Sequence, residues 1–390
     1  MRGACGRFLL AAASLATVWR SARTLDRVRR ITPLVATDDP ELRPVGPVTV
    51  VVPARNEAPR IDACVAALRA QTAPDLRIVV VDDGSTDGTG DIAARHADAD
   101  PRVTAVRGTG PPPGWTGKVA AMQAGLDADR AARAAAGAPA PDWLLFVDAD
   151  TVLGPALVDR LRATAERHGA ALVSAPGTAP DGAAAAWPLL MPTGIVFIGE
   201  HADPQGSARR AFAIGQCLLV RRDRFEAVGG WAALRDRRTE DIVLATRIRD
   251  AGGRTRLVDA GGLVTTSGLD PFRAGWFSFR KTLVAATGRS VPVLAAGGLA
   301  QVGLSLSGPA AALCGLRGHR TGATRPLLAG AGLLAWGLAA LAHHRTARLM
   351  RARPGIPPLA PLTGALFGVI LIDGARVVLR GTAGWKGRDQ

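Results

Sequence analysis

The amino-acid sequence predicts an α/β protein with a mostly parallel sheet flanked by helices, joined to transmembrane helices towards the C-terminus. Three observations carry this expectation. From Val48 onward, short continuous apolar runs alternate with segments of helical period, as strands buried on both faces do. Acidic clusters stand directly after two of those runs, where open α/β sheets bind their ligands. Three uncharged stretches of 17 to 27 residues then fill much of the last quarter of the chain.

At the N-terminus, Phe8–Val18 is apolar, follows Arg2 and Arg7, and ends at Trp19-Arg20. It is short for a span, and no small-residue cleavage site follows it. The expectation is a membrane anchor over 1–30, with Trp19 at headgroup level and the arginines of 20–30 on the cytoplasmic side. Residues 31–47 hold four prolines and mixed charge and read as a linker.

The alternating region starts with Val48–Pro53 (VTVVVP), a buried strand. A helix over Glu57–Ala70 follows, with Ile61, Cys64, Val65 and Leu68 on one face. Leu76–Val81 is a second strand, closed by Asp82-Asp83-Gly84-Ser85, and Ser85 or Asp87 can cap the helix expected over about 87–97. Val103–Val106 is a short strand, Gly114–Arg133 a loop then a helix, and Trp143–Val147 (WLLFV) a strand running into Asp148-Ala149-Asp150. Further on, Gly215-Gln216-Cys217 and Gly229-Gly230-Trp231 flank a strand and short helix. Thr239 is placed to cap a helix that turns Leu244, Ala245 and Ile248 inward.

Ser290–Leu316, Pro326–Ala342 and Pro354–Ile372 carry no charge, and arginine clusters separate them, so 290–390 is the expected membrane region with two or three apolar segments. Before it, Trp276, Phe277 and Phe279 with Arg273, Arg280 and Lys281 predict an interfacial amphipathic segment over 271–289.

The net charge of +15 does not mark a nucleic-acid binder. Residues 1–30 carry +6 and residues 271–390 carry +13, whereas 31–270 carry −4. The excess sits on the membrane-facing ends, where it meets anionic headgroups. The four cysteines stand far apart without metal-ligand spacing, which predicts buried, reduced thiols and no disulfide framework. No protein partner is legible.

Four clusters could carry chemistry. A carboxylate fixed at Asp82 or Asp83 beyond a buried strand can accept an N–H from a nucleotide base; one of the two could equally be a turn-closing cap. Asp148 and Asp150, if the backbone stays extended, point the same way and can jointly meet a hard divalent cation carrying a diphosphate. Lys118 lies in GPPPGWTGK, which is not a Walker A loop, since Pro112 and Val119 depart from that pattern. Arginine outnumbers lysine 45 to 3, so a lysine here points to a compact charge for phosphate. In Thr239-Glu240-Asp241 one carboxylate can serve as a general base, although acids in a first helical turn also suit the helix dipole.

Taken together, VVVPARNE (50–57), VVDDGSTDGT (80–89), DAD (148–150) and TED (239–241) resemble the family 2 inverting glycosyltransferases of GT-A fold over roughly residues 47–270. PPGWTGK (112–118) and the apolar C-terminus look more narrowly like the membrane-bound hopene-associated and carotenoid glycosyltransferases of bacteria. The resemblance implies a GT-A domain over 48–270. Glu57 and Asp83 would contact the nucleoside, Lys118 and Asp148 would bind the nucleotide sugar, and Asp148 and Asp150 would hold Mg2+ or Mn2+. Asp241 would be the catalytic base. The QxxRW motif of processive relatives is missing, which implies transfer of a single sugar. The expected enzyme is multi-pass in the inner membrane with its catalytic domain in the cytoplasm, and it passes sugar from a UDP-sugar to a hydroxyl of an isoprenoid-type lipid. Alternative expectations are a polyprenyl-phosphate acceptor, or a catalytically silent membrane partner of a biosynthetic complex.

Overall fold

A computed structural model describes all residues except 1, 36–45, 183–185, 200–202, 207–210, 268–270, 318–323, 353–355, 382–383, 386–387 and 390. The chain divides into two compact units: Ile31–Pro180 with Asp203–Gly268, and Met1–Arg30 with Asp181–Ala202 and Leu269–Gln390. The linear stretch 48–270 is therefore interrupted, because a segment around 181–202 belongs with the helical unit.

In chain order the elements are α1 (Arg2–Arg29), β1 (Thr32–Pro33), β2 (Val48–Ala54), α2 (Ala58–Arg69), β3 (Leu76–Asp82), α3 (Thr89–Ala99) and β4 (Val103–Arg107). Then come α4 (Gly117–Ala135), β5 (Trp143–Val147), β6 (Thr151–Leu153), α5 (Leu157–Arg167), β7 (Ala170–Ser174), α6 (Ala186–Gly199) and β8 (Cys217–Arg221). The remainder is α7 (Arg222–Ala227), α8 (Glu240–Asp250), β9 (Arg254–Asp259), β10 (Val264–Thr266), α9 (Phe272–Ala286), α10 (Val291–Leu316), α11 (Thr324–Leu349) and α12 (Ala360–Leu379).

Eight strands form one sheet in the order β1-β9-β7-β8-β5-β2-β3-β4. All its pairings are parallel except the two made by β8. Both faces are covered, as the unbroken apolar strands require. Val48, Val50, Val52, Ile78 and Val80 pack with α2 and α5 on one side, and Val51, Val79, Val81 and Phe146 pack with α4 and α8 on the other. Helix α4 approaches so closely that a Cβ at Gly125 would fall 2.5 Å from Val51 Cγ1. Thr49 is the polar exception in β2; its hydroxyl donates to Asp129 Oδ2 at 2.8 Å, and Arg133 binds both residues.

The linker expectation needs correction at its start. Thr32 and Pro33 pair in parallel with Val258 and Asp259, and Leu34 is buried. Proline suits this position because an edge strand leaves one N–H row unpaired. The expectation for 36–45 lies outside the described residues.

In the helical unit, α10, α11 and α12 contain three segments long and apolar enough to cross a membrane: Val291–Leu316, Arg325–Leu349 and Pro357–Leu379. Helix α1 packs against α10 and α11 with its polarity reversed relative to a soluble helix. Phe8, Leu9, Leu15 and Trp19 face outward, while Ser14, Thr17, Ser21 and Thr24 are buried. Thr17 donates to the Leu304 carbonyl at 2.9 Å, and Arg20 donates to Gln301 Oε1 at 2.8 Å. Apolar residues outside and hydroxyls inside is the pattern of a helix solvated by lipid. Cys64 and Cys217 are buried as expected, but Cys5 and Cys314 are exposed, because they lie on the outward faces of α1 and α10.

Candidate active site

Topology gathers the predicted residues. Strands β3, β2 and β5 are neighbours and parallel, so the loops after them, carrying Asp83, Glu57 and Asp148, leave one edge of the sheet. Strand β8 runs antiparallel and therefore begins at that edge with Gly215-Gln216.

The first two loops are tied together. Asn56 adopts positive φ (52°), and its Oδ1 accepts the Thr86 N–H at 2.9 Å. In return the amides of Asn56, Glu57 and Ala58 donate to Ser85 Oγ, Thr89 Oγ1 and Asp87 Oδ2 at 2.9, 2.8 and 3.0 Å. Asp82 Oδ1 accepts the Ser85 N–H, so Asp82 is the residue that closes the turn. Asp83 is buried, with Arg55 Nη1 at 3.9 Å. Asp87 accepts the Thr89 amide at 3.1 Å, but the cap position of α3 is held by Gly88 without a side-chain cap, so neither Ser85 nor Asp87 is the expected N-cap. Glu57 meets Arg60 at 3.2 Å.

Asp148-Ala149-Asp150 is not extended, which corrects the expected geometry. The Thr151 N–H donates to the Asp148 carbonyl at 3.0 Å and closes a tight turn, which then leads into β6 and its antiparallel pairing with the distant β10. Asp148 is fixed from behind by its own N–H to the Gln216 carbonyl at 3.1 Å. Burial, with the charges of Asp148 and Glu57, pushes the Asp150 carboxyl up to about 6, while Arg60 and Thr266 act the other way. Crowded carboxylates of this kind favour a cation. Among the described residues no group of three or more His, Cys, Asp or Glu side chains could hold a metal. A hard cation at Asp148 and Asp150 would need its remaining oxygens from a bound phosphate or water, as Mg2+ commonly takes them.

Lys118, in the first turn of α4, joins two motifs. Its Nζ lies 2.7 Å from Asp148 Oδ1 and 3.0 Å from Glu240 Oε1. Burial works against its charge, but Asp148, Glu240 and Asp241 outweigh it and hold the ammonium well above the ordinary lysine range. The preceding loop is anchored by the Thr116 N–H to the Arg235 carbonyl at 2.7 Å, ahead of the TED motif.

Thr239 occupies the position before α8 but makes no side-chain cap. Asp241 accepts the Gly215 and Ile242 amides, each at 2.8 Å. Burial and the neighbouring Glu240 charge raise its carboxyl to about 7, against Lys118 and the two amides. The site can therefore hold a proton acceptor poised near neutrality beside a carboxylate cluster that attracts cations.

Glu240 and Gly215 were not singled out for these roles by sequence reasoning. Glu240 reads as either general base or helix-dipole acid, and nothing local announced that a lysine 122 positions earlier would meet it. Trp231 is core: it is 1% exposed and stands edge-on to Phe146 and Phe225. In the helical unit, Trp276 and Arg280 of the predicted interfacial segment both donate to Asp373 Oδ2, at 3.0 and 2.8 Å.

A mostly parallel sheet with one reversed strand, with acidic loops at the ends of three adjacent strands, is an arrangement of GT-A type in fold. Residues 49–229 match the model of glycosyl transferase family 2. Similar curated proteins include the uncharacterized glycosyltransferase EpsJ of Bacillus subtilis, 30% identical over 121 residues that make up 31% of each chain. An N-acetylglucosaminyltransferase of Rhizobium leguminosarum bv. viciae is 34% identical over 151 residues, 38% of this chain and 32% of that one. The match thus spans about a third of each relative's length. Among solved structures, the mannosyltransferase PcManGT from Pyrobaculum calidifontis, in complex with GDP-Man and Mn2+, aligns over 99% of this chain and 97% of its own, with a TM-score of 0.54 and 21% identity. That likeness is one of fold.

Proposed function

We propose that the protein transfers a single sugar from a nucleotide-sugar donor, a UDP-sugar, to a hydroxyl of an isoprenoid-type lipid, inverting the anomeric centre. The observation that carries this reading is the contact of Lys118 with both Asp148 and Glu240, which brings the DAD and TED motifs together beside Asp241, a carboxyl that burial and Glu240 raise to about 7.

In this reading Asp241 takes the proton of the acceptor hydroxyl as its oxygen bonds to the anomeric carbon. The bond to the leaving diphosphate breaks on the opposite side, and the electron pair leaves with it. Two amide donors fix the Asp241 carboxylate, so its orientation does not have to be established during the reaction. Glu57 and Asp83 contact the nucleoside from their interlocked loops, and Lys118 and Asp148 face the diphosphate. Asp148 and Asp150 would hold Mg2+ or Mn2+, which supplies neutralisation of the departing phosphate charge.

The helical unit supports the choice of acceptor. Three apolar helices and a lipid-solvated α1 favour a substrate that stays in the membrane, and the likeness of the PPGWTGK segment to the hopene-associated and carotenoid enzymes favours an isoprenoid. A soluble nucleotide donor places the catalytic unit in the cytoplasm and the helices in the inner membrane.

Purified protein incubated with a panel of nucleotide sugars and a membrane lipid extract should yield one glycolipid by mass spectrometry. An acid-labile product would identify a polyprenyl phosphate acceptor instead. Absence of both transfer and donor hydrolysis would overturn the enzymatic reading.

A further inference from the structure

We propose that Lys118 and the divalent cation compete for Asp148, and that Glu240 retains the ammonium at the site when the cation displaces it. This rests on the reading of Asp148 and Asp150 as the metal pair. Lys118 Nζ already occupies Asp148 Oδ1 at 2.7 Å. A divalent ion bonded to that oxygen would stand about 2.0–2.6 Å from it. An ammonium at hydrogen-bonding distance from the same oxygen would then face a dication at short range, and the repulsion makes each bind Asp148 more weakly in the presence of the other. Completing the metal pair therefore works against the lysine contact at Asp148.

What happens to the released ammonium is set by Glu240. Its carboxylate is buried in the first turn of α8, and Lys118 is the cation bound to it, at 3.0 Å. Loss of the Asp148 contact therefore leaves Lys118 held on one side, with an N–H freed to turn towards an incoming diphosphate. Gly215 leaves the space for this, since a Cβ there would sit 3.0 Å from Nζ. A lysine serves where an arginine would not: an ammonium on a flexible stem can pivot between acceptors, whereas a guanidinium fork holds its geometry. Glu240 is on this account a positioning residue. The site avoids carrying an uncompensated carboxylate cluster between turnovers, because its internal cation is exchanged for an external one.

The test uses the full-length protein in detergent. Free Mn2+ is measured by electron paramagnetic resonance in the absence of nucleotide. Lys118→Met should bind Mn2+ about tenfold more tightly than the wild type, the size of an ordinary coupling between two ligands, and should bind UDP less tightly once Mn2+ is present. Lys118→Arg keeps the charge and should show no such gain. The chain has three lysines, Lys118, Lys281 and Lys386, so 15N-lysine spectra resolve the question directly. Saturating Mg2+ should move the Lys118 ammonium signal and leave the other two in place. Glu240→Gln should broaden the Lys118 signal in the Mg2+ form, because its remaining anchor is gone. Unchanged Mn2+ affinity in Lys118→Met, or an unmoved Lys118 signal at saturating Mg2+, overturns the exchange. If Asp148→Asn and Asp150→Asn bind Mn2+ as the wild type does, the metal reading itself is overturned.

Discussion

The Gly215 amide donates to Asp241 Oδ2 at 2.8 Å, and the same glycine leaves only enough room for that carboxylate and for Lys118. A Cβ at Gly215 would lie 3.3 Å from Asp241 Oδ2 and 3.0 Å from Lys118 Nζ. Gly215→Ala should therefore keep the fold, since the ammonium is the end of a flexible side chain, but displace the base from its amide donor. A shift of a few tenths of an ångström at a reacting group is expected to cost about tenfold to a hundredfold in kcat/KM. Steady-state kinetics together with a thermal melt check this; a melt unchanged within 2 °C with reduced turnover is the expected pair of results.

With Asp241 as the proposed base, its raised carboxyl predicts the pH profile. Burial and Glu240 raise it to about 7 against Lys118 and the two amides, and a general base works only when ionised. The kcat/KM for transfer should rise with pH through about 7 and level off above it. Glu240→Gln removes a repelling charge and should move this limb to lower pH. Lys118→Met removes an attracting charge and should move it to higher pH. The consequence for stability has a definite sign. The folded carboxyl holds its proton above the unfolded value of 3.8, so between that value and about 7 the native state binds more protons than the unfolded one. This group's contribution to stability accordingly falls as pH rises through that window. Asp241→Asn should abolish transfer and remove that pH dependence.

Much of this site was legible in the sequence because each motif follows a strand whose apolar run is unmistakable. VTVVVP, LRIVVV and WLLFV mark β2, β3 and β5, and parallel neighbours place their following loops at one edge. The turn at Asp148–Thr151 was not legible: two acids at i and i+2 look alike in a strand and in a turn, and the deciding hydrogen bonds come from Gln216 and from β10. Thr32 and Pro33 were hidden in the same way, since two residues carry no periodicity and their partner β9 lies more than 220 positions away. The Lys118–Glu240 pair depends on how α4 and α8 converge. Composition did signal that Lys118 was unusual, and it is the residue that links the motifs.

Asp373 makes a separate prediction for the helical unit. It lies inside an apolar helix, accepts from Trp276 and Arg280 at 3.0 and 2.8 Å, and pairs with the Arg376 charge at 3.3 Å. Asp373→Ala would leave the partly buried Arg280 without its carboxylate and α9 without its polar tie to α12. The expected cost is about 1–3 kcal/mol of stability in detergent. Asp373→Asn should retain part of this, because an amide oxygen still accepts from Trp276. A lowered unfolding midpoint in the order Ala, then Asn, then wild type would establish the tie; equal midpoints would remove it.

Trp231 separates packing from ligand contact. A tryptophan behind a Gly-Gly pair in a sugar-transferring domain invites a stacking role, but here its ring lies 4.8 Å from Phe146 and 5.3 Å from Phe225, both edge-on, with no surface to offer. Its indole Nε1 is buried without a hydrogen-bond partner, so the side chain contributes volume and aromatic contact and no polar bond. Trp231→Ala should then cost about 3–5 kcal/mol through the cavity it opens between β5 and α7. Trp231→Phe loses no hydrogen bond and less volume, and should cost under about 2 kcal/mol. In either variant the fraction that remains folded should keep the wild-type KM for donor and acceptor, because neither substrate touches the ring. A variant that melts like the wild type but shows a raised acceptor KM would place Trp231 in the binding site after all, and would mean that the loop over 229–234 opens when substrate arrives.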